Sequence, residues 1–261
     1  MAGLTSTRLV RAPVGGPCGA LLALATASTL AVTLALAAAP PTSADIDNST
    51  TTTTSVASTA ASPADTWLTE AIGAEINVGS VHVDGSISQG KSRITLHLLV
   101  NGDGEGGGTF QQGGYPIRLK RVATLLYFNA PKKFWSTYAP AAQAKRYGGK
   151  WIEVSALDSR FVSFVQFLYA AELAQAVFQS HHNPLTLAPS STIGGRKMIV
   201  IKDVETANGE KSTGLMYVSA TGTPYVYRIV AHTPGEVSTL NFSAYGKPVS
   251  ITVPAEAINL T

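Results

Sequence analysis

From Ala20 to Ala39 the chain carries no charge and little polarity, and its single cysteine, Cys18, lies ahead of that run. Arg8 and Arg11 supply a basic start and Thr42-Ser43-Ala44 a small-residue cleavage site, so residues 1–44 read as a secretory signal peptide. About 20 apolar residues also suffice to span a bilayer, which leaves an uncleaved N-terminal anchor as the alternative. Either way the remainder is expected outside the cytoplasm, in a periplasm-like space, the cell envelope or the medium. It has no thiol there, hence neither disulfides nor thiolate chemistry. Whatever it folds into must be held by core packing. An acylated lipoprotein cysteine would follow the apolar run behind a small-residue box, whereas Gly16-Pro17-Cys18-Gly19 precedes it.

Residues 45–63 are mostly Ser, Thr and Ala with no apolar period, so they read as a disordered linker. Residues 64–261 then suffice for one domain with a substantial core. Without Arg8 and Arg11, the nineteen Lys and Arg fall to seventeen, against sixteen Asp and Glu. That near-neutrality argues against nucleic acid, whose recognition rests on concentrated positive charge. Lys132-Lys133 and Lys145-Arg146, taken as isolated pairs, read as solvated surface rather than a lipid-headgroup patch.

Trp67, Leu68, Ala71 and Ile72 predict a helix capped by Asp65 and ended by Gly79. Alternation predicts a hairpin of residues 81–87 and 94–100. A Gln89-Gly90 turn would set His82 opposite His97 and Val83 opposite Leu96, with every apolar residue but Leu99 on one face. Further strands are expected at 109–112, 116–122, 124–128, 151–154, 196–205, 212–220, 226–232 and 237–244, with 248–253 as a possible addition. Pro131 opens a short helix carrying Phe134, Trp135 and Tyr138. A longer helix runs from Phe161 to Val177, capped by Asp158 or Ser159 and closed by His181-His182-Asn183-Pro184. Strand groups interrupted by helices predict an α+β domain, a single large curved antiparallel sheet with helices on one face.

Catalytic motifs are missing. There is no GxSxG, no HExxH and no exported cysteine, and no carboxylate pair can be named for glycoside hydrolysis. Gly102 to Gly107 formally fits GxGxxG but lies between strands, where a dinucleotide site needs a helix. The same stretch starts like a calcium loop, yet its twelfth position is Gln112, which supplies no bidentate carboxylate. His82, Asp84 and His97 fall together in the expected register but lack the spacing of a metal site, so no metal and no cofactor is expected. His181-His182 reads as solvated loop or a partner for a helix C-terminus. What remains is an excess of apolar and aromatic groups. Leu96, Leu98, Leu119, Leu125, Tyr127, Phe134, Trp135, Phe161, Phe164, Val165 and Leu168 read as the wall of a core, part of which forms a cavity for an acyl chain.

Several stretches resemble a known family. Gly79-Ser80-Val81-His82-Val83-Asp84-Gly85-Ser86-Ile87 is similar to the first strand of the LppX/LprG-type actinobacterial lipoproteins. Ile117-Arg118-Leu119, Leu125-Leu126-Tyr127-Phe128, Phe134-Trp135, Gly149-Lys150-Trp151-Ile152, Arg160-Phe161 and Phe242-Ser243-Ala244-Tyr245-Gly246-Lys247-Pro248-Val249 extend the resemblance over about residues 64 to 254. It implies a LolA-like half-barrel, its concave face covered by helices. It also implies a non-enzymatic, monomeric carrier of acylated lipid or glycolipid at the cell-envelope membrane. The alternative is an envelope interaction module with a filled core, binding a protein or polysaccharide. The lipid-anchoring cysteine of that family has no counterpart here.

Overall fold

A computed structural model describes residues 61–89, 92–175, 183–207, 210–248 and 250–260. The stretch expected to be a signal peptide, most of the expected linker, and His181-His182 lie outside the described residues. Among these no helix is long and apolar enough to cross a membrane.

Helix α1 (Pro63–Ile76) opens the fold. Its cap is Ser62, not Asp65: the Ser62 Oγ accepts the Asp65 N–H at 3.1 Å and donates to the Asp65 carboxylate at 2.6 Å. Asp65 thus answers the cap from the first turn, where a carboxylate also meets the positive end of the helix dipole. Asn77, not Gly79, closes the helix.

Strands β1 (Val81–Gln89), β2 (Ser92–Val100), β3 (Gly106–Gln112), β4 (Tyr115–Val122) and β5 (Leu125–Asn129) follow as a meander. Helices α2 (Lys132–Tyr138) and α3 (Ala141–Tyr147) lead to β6 (Trp151–Ser155). Next come α4 (Val162–Val165), a 3-10 turn (Gln166–Leu168) and α5 (Ala170–Gln175). The second meander is β7 (Thr186–Ile193), β8 (Arg196–Ala207), β9 (Glu210–Ser219), β10 (Val226–Thr233) and β11 (Glu236–Ser243), and β12 (Ala257–Asn259) follows. All twelve strands form one sheet in the order β12-β6-β5-β4-β3-β2-β1-β11-β10-β9-β8-β7. Pairing of β1 with β11 joins the two meanders, and β12 is parallel to β6 while the other pairs are antiparallel. The outermost strands do not pair with each other, so the sheet is an open half-barrel in an α+β fold. The helices lie against its concave face.

The β1–β2 hairpin corrects the expected register by two residues. Gln89 faces Ser92, which puts Asp84 opposite His97 and Val83 opposite Leu98. A two-residue slip leaves every side chain on its own face, so apolar alternation distinguishes odd shifts but not even ones. Val81, Val83, Ile94, Leu96, Leu98 and Val100 are accordingly all buried.

Three other expectations needed correction. The helix expected from Phe161 onward is broken. Tyr169 adopts an extended backbone, its ring lies 5.0 Å from the Arg121 guanidinium, and no side chain caps α4. Strand β7 was not foreseen because Pro189 and its polar neighbours disguise it. It survives as an edge strand with an irregularity between Ala188 and Ser191, where the missing proline N–H is tolerated. The described part of 248–253 is no strand, and the extra pairing is made by β12 instead.

Candidate functional site

Cross-strand pairing builds the concave surface in rows. One row runs Ile117–Phe110–Leu96–Gly85–Leu240–Ile229–Met216–Ile201–Leu187, crossing nine strands from β4 to β7. Gly85 is its one missing side chain. A Cβ there would strike the Thr239 carbonyl oxygen and come within 2.9 Å of Leu240 Cα, so glycine lets β1 and β11 close on each other.

The next row is Asp203–Gly214–Ala231–Ser238. Three small residues from successive strands leave nothing to fill the space above them. A hollow of about 260 Å³ results, walled by Ile87, Ile229 and Leu240 and floored by Gly214, Ala231 and Ser238. Its rim is polar: Asp203, Glu205, Ser88, Ser212, Thr213, His232 and Thr233. Asp203 is buried and Glu205 half-buried, so two carboxyl groups stand at the edge of the hollow.

None of the eleven residues expected from the sequence lines this hollow. Nine of them make up the other half of the concave side. Leu96, Leu98, Leu119, Phe134, Trp135, Phe161, Phe164, Val165 and Leu168 are buried in one cluster with Phe110 and Phe128. Phe128 centres it, with ring centroids 5.1 Å from Phe164, 5.3 Å from Phe161, 5.5 Å from Trp135 and 5.6 Å from Phe134. Such tilted and edge-to-face contacts are the favourable geometry for aromatic rings. Leu125 and Tyr127 stand elsewhere. Leu119 pairs with Phe128 and Lys120 with Tyr127, which places Phe128 on the concave face and Leu125 and Tyr127 on the outer one. Leu125-Leu126-Tyr127-Phe128 is apolar on both faces, so alternation supplies no mark of which residue points inward.

The floor of the hollow was invisible because Gly214, Ala231 and Ser238 are unremarkable singly. A signal exists once the register is known: small residues coincide on one row across β9, β10 and β11.

Helix α1 is fastened to this half of the sheet through Glu75. Its Oε1 accepts the Val226 N–H at 3.0 Å and lies 2.7 Å from the Tyr245 hydroxyl, which also meets the Val226 carbonyl oxygen. Burial raises the Glu75 carboxyl from 4.5 to about 7, although its hydrogen bonds to Tyr245 and Val226 act in the opposite direction. Burial, with Glu75 nearby, likewise holds the Tyr245 phenol well above its usual range.

On the outer face, the Asp84 carboxylate bridges two imidazoles, 3.0 Å from His82 Nδ1 and 2.5 Å from His97 Nδ1. Among the described residues no group of three or more His, Cys, Asp or Glu is disposed to hold a metal. In the glycine-rich loop, Asn101 Oδ1 accepts the Glu105 N–H at 2.8 Å and Glu105 Oε1 accepts the Ala123 N–H at 2.9 Å. Those acceptors tie the turn to β4 and β5.

No family model and no curated protein matches this chain. Among solved structures it is similar to LprF from Mycobacterium bovis, at 13% identity and a TM-score of 0.47, over 75% of this chain and 99% of that one. It is similar to lipoprotein LppX from Mycobacterium tuberculosis at 13% identity and a TM-score of 0.45, over 72% of this chain and 97% of the other. An uncharacterized conserved protein from Thermus thermophilus follows at 8% identity and a TM-score of 0.36, over 74% and 96% of the two chains.

Proposed function

We propose that the protein is an exported, non-enzymatic lipid carrier of the cell envelope that holds an acyl tail against the concave face of its sheet. The observation that carries this reading is the hollow of about 260 Å³ over Gly214, Ala231 and Ser238, with Ile87, Ile229 and Leu240 as its walls. Apolar chambers with a few convergent polar groups are the usual form of a small-molecule site. At about 30 Å³ per methylene-sized group, the share of one water in the liquid, the hollow takes roughly nine carbons. Each buried methylene contributes about 0.8 kcal/mol, so one such tail segment gains roughly 7 kcal/mol before losses of motion are counted. A longer tail extends along the Leu96 row toward Phe164, parting the aromatic cluster where the sequence placed the cavity. The acidic rim of Asp203 and Glu205 disfavours a phosphate or carboxylate headgroup and suits a hydroxyl-rich one, as in a glycolipid.

The test is extraction and mass spectrometry of lipid from the purified exported protein, together with uptake of a fluorescent fatty-acyl probe. Ala231→Phe, which fills the floor, is expected to abolish uptake while melting remains cooperative. Leu96→Trp is expected to exclude long tails and spare short ones. Absence of co-purified lipid together with no probe uptake by the unaltered protein would overturn the proposal in favour of an interaction module.

A further inference from the structure

Between Gly106 and Ile152 the chain holds eight Lys or Arg and no Asp or Glu, although the whole protein has nearly as many acids as bases. Folding gathers seven of the eight at one corner, where β5 runs into α2 and α3 runs into β6: Arg118 and Lys120 stand on the outer face of the sheet and four others on the two helices beside it. Arg118 donates to Asn129 Oδ1 at 3.0 and 3.2 Å, and Asn129 in turn donates to the Gly149 carbonyl oxygen at 2.8 Å. That chain of contacts joins β4 to the loop carrying Lys150. Gly148 packs against Lys132 so closely that a Cβ would lie 2.8 Å from Lys132 Cα, which brings the start of α2 to the end of α3. Lys133 follows on α2, and Lys145 and Arg146 form the last turn of α3. All four helix cations are exposed.

One aromatic ring sits among these charges, and a second lies at the far end of α2. The Trp151 ring on β6 has the Arg118 guanidinium 5.3 Å and the Lys120 ammonium 5.2 Å from its centroid. Tyr138, at the end of α2, is 42% exposed. Glu153 and Glu256 are the acids nearby, which leaves a net surplus of five positive charges, seven minus two. Lysine and arginine around a half-buried Trp, with an exposed Tyr on the helix that carries two of the cations, match the chemistry of a membrane interface, where rings settle at headgroup depth and cations meet anionic lipid. Read as separate pairs, Lys132-Lys133 and Lys145-Arg146 pass for ordinary solvated surface. The tertiary fold makes them one patch.

We infer that this corner, formed by β4, β6, α2 and α3, docks the protein onto an anionic lipid bilayer. Docking of this kind extends the carrier reading by naming the face that meets the membrane, and it needs no cargo in the hollow.

Co-sedimentation of the exported protein with vesicles tests it, using phosphatidylcholine alone and phosphatidylcholine mixed with anionic phosphatidylglycerol. Binding is expected only to the anionic vesicles and is expected to fall with added salt. Changing Lys132→Gln, Lys133→Gln, Lys145→Gln and Arg146→Gln together should weaken it about tenfold or more, since each cation near such a surface contributes severalfold. The pair Lys197→Gln and Lys202→Gln, on β8, should leave it unchanged. A thermal melt of each variant confirms that the fold is intact. Equal binding to both vesicle types, unchanged binding of the fourfold variant, or binding to soluble heparin with none to anionic vesicles would each overturn the inference. Lipid uptake by Ala231→Phe has no bearing on these outcomes, so the two proposals fail separately.

Discussion

Helix α1 places a carboxyl group, Glu75, in a site with no exposed surface, facing Tyr245, whose ring stacks on Tyr225 and meets Tyr227. The second carboxyl oxygen, Oε2, is buried without a hydrogen-bond partner. The Tyr245 hydroxyl owns one proton and touches two acceptors, Glu75 Oε1 and the Val226 carbonyl oxygen. With Glu75 ionised, a charge is held out of water, and this burial outweighs the Tyr245 and Val226 hydrogen bonds that favour the charged form. The folded carboxyl therefore titrates near 7, compared with 4.5 when the chain is unfolded. Because the folded value is the higher one, the folded state binds the extra proton between these limits. Stability is then greatest below the unfolded value, declines as pH rises, and levels off once the folded group has ionised. The step from 4.5 to about 7, at about 1.4 kcal/mol for each tenfold change in proton affinity, is worth about 3 kcal/mol. Glu75→Gln keeps an acceptor for the Val226 N–H and removes the titration. The measurement is the urea midpoint of both proteins at pH 5 and pH 8. Relative to wild type, the variant is expected to gain about 2–3 kcal/mol on going from the lower pH to the higher. If the difference between the two proteins is the same at both pH values, Glu75 is not held protonated and the reasoning fails.

Other perturbations have their magnitude set by contacts already described. Phe164→Ala removes a ring packed between Phe110 and Phe128 and should cost about 3–5 kcal/mol in urea denaturation while leaving short-chain probe uptake unchanged. Gly85→Ala drives a methyl group into the Thr239 carbonyl and should lower the urea midpoint by more than 1 kcal/mol equivalent, roughly the least such a backbone conflict costs. Ser62→Ala deletes the cap of α1 and should cost about 1 kcal/mol, read as a shift in melting temperature. Asp84→Ala separates two imidazoles on the exposed face and should change stability by less than about 1 kcal/mol, as exposed pairs do.

By itself the sequence determined what depends on near neighbours. Period-two alternation assigned faces in β1, β2 and β4, and the order of strand and helix signals led to an α+β sheet covered on one side. Residues with mixed signals escaped it. Leu125-Leu126-Tyr127-Phe128 is apolar throughout, Pro189 hides an edge strand, and Tyr169 leaves its helix for a ring contact with Arg121 made from another part of the chain. The tertiary structure alone decided the register, the hollow and the basic corner. Alternation repeats every two residues and is blind to a slip of two, so only closure of the hairpin sets Asp84 against His97. Gly214, Ala231 and Ser238 belong to three strands, and four cations at the corner to two helices. What they do comes from their meeting in space, which long-range strand pairing and helix packing bring about.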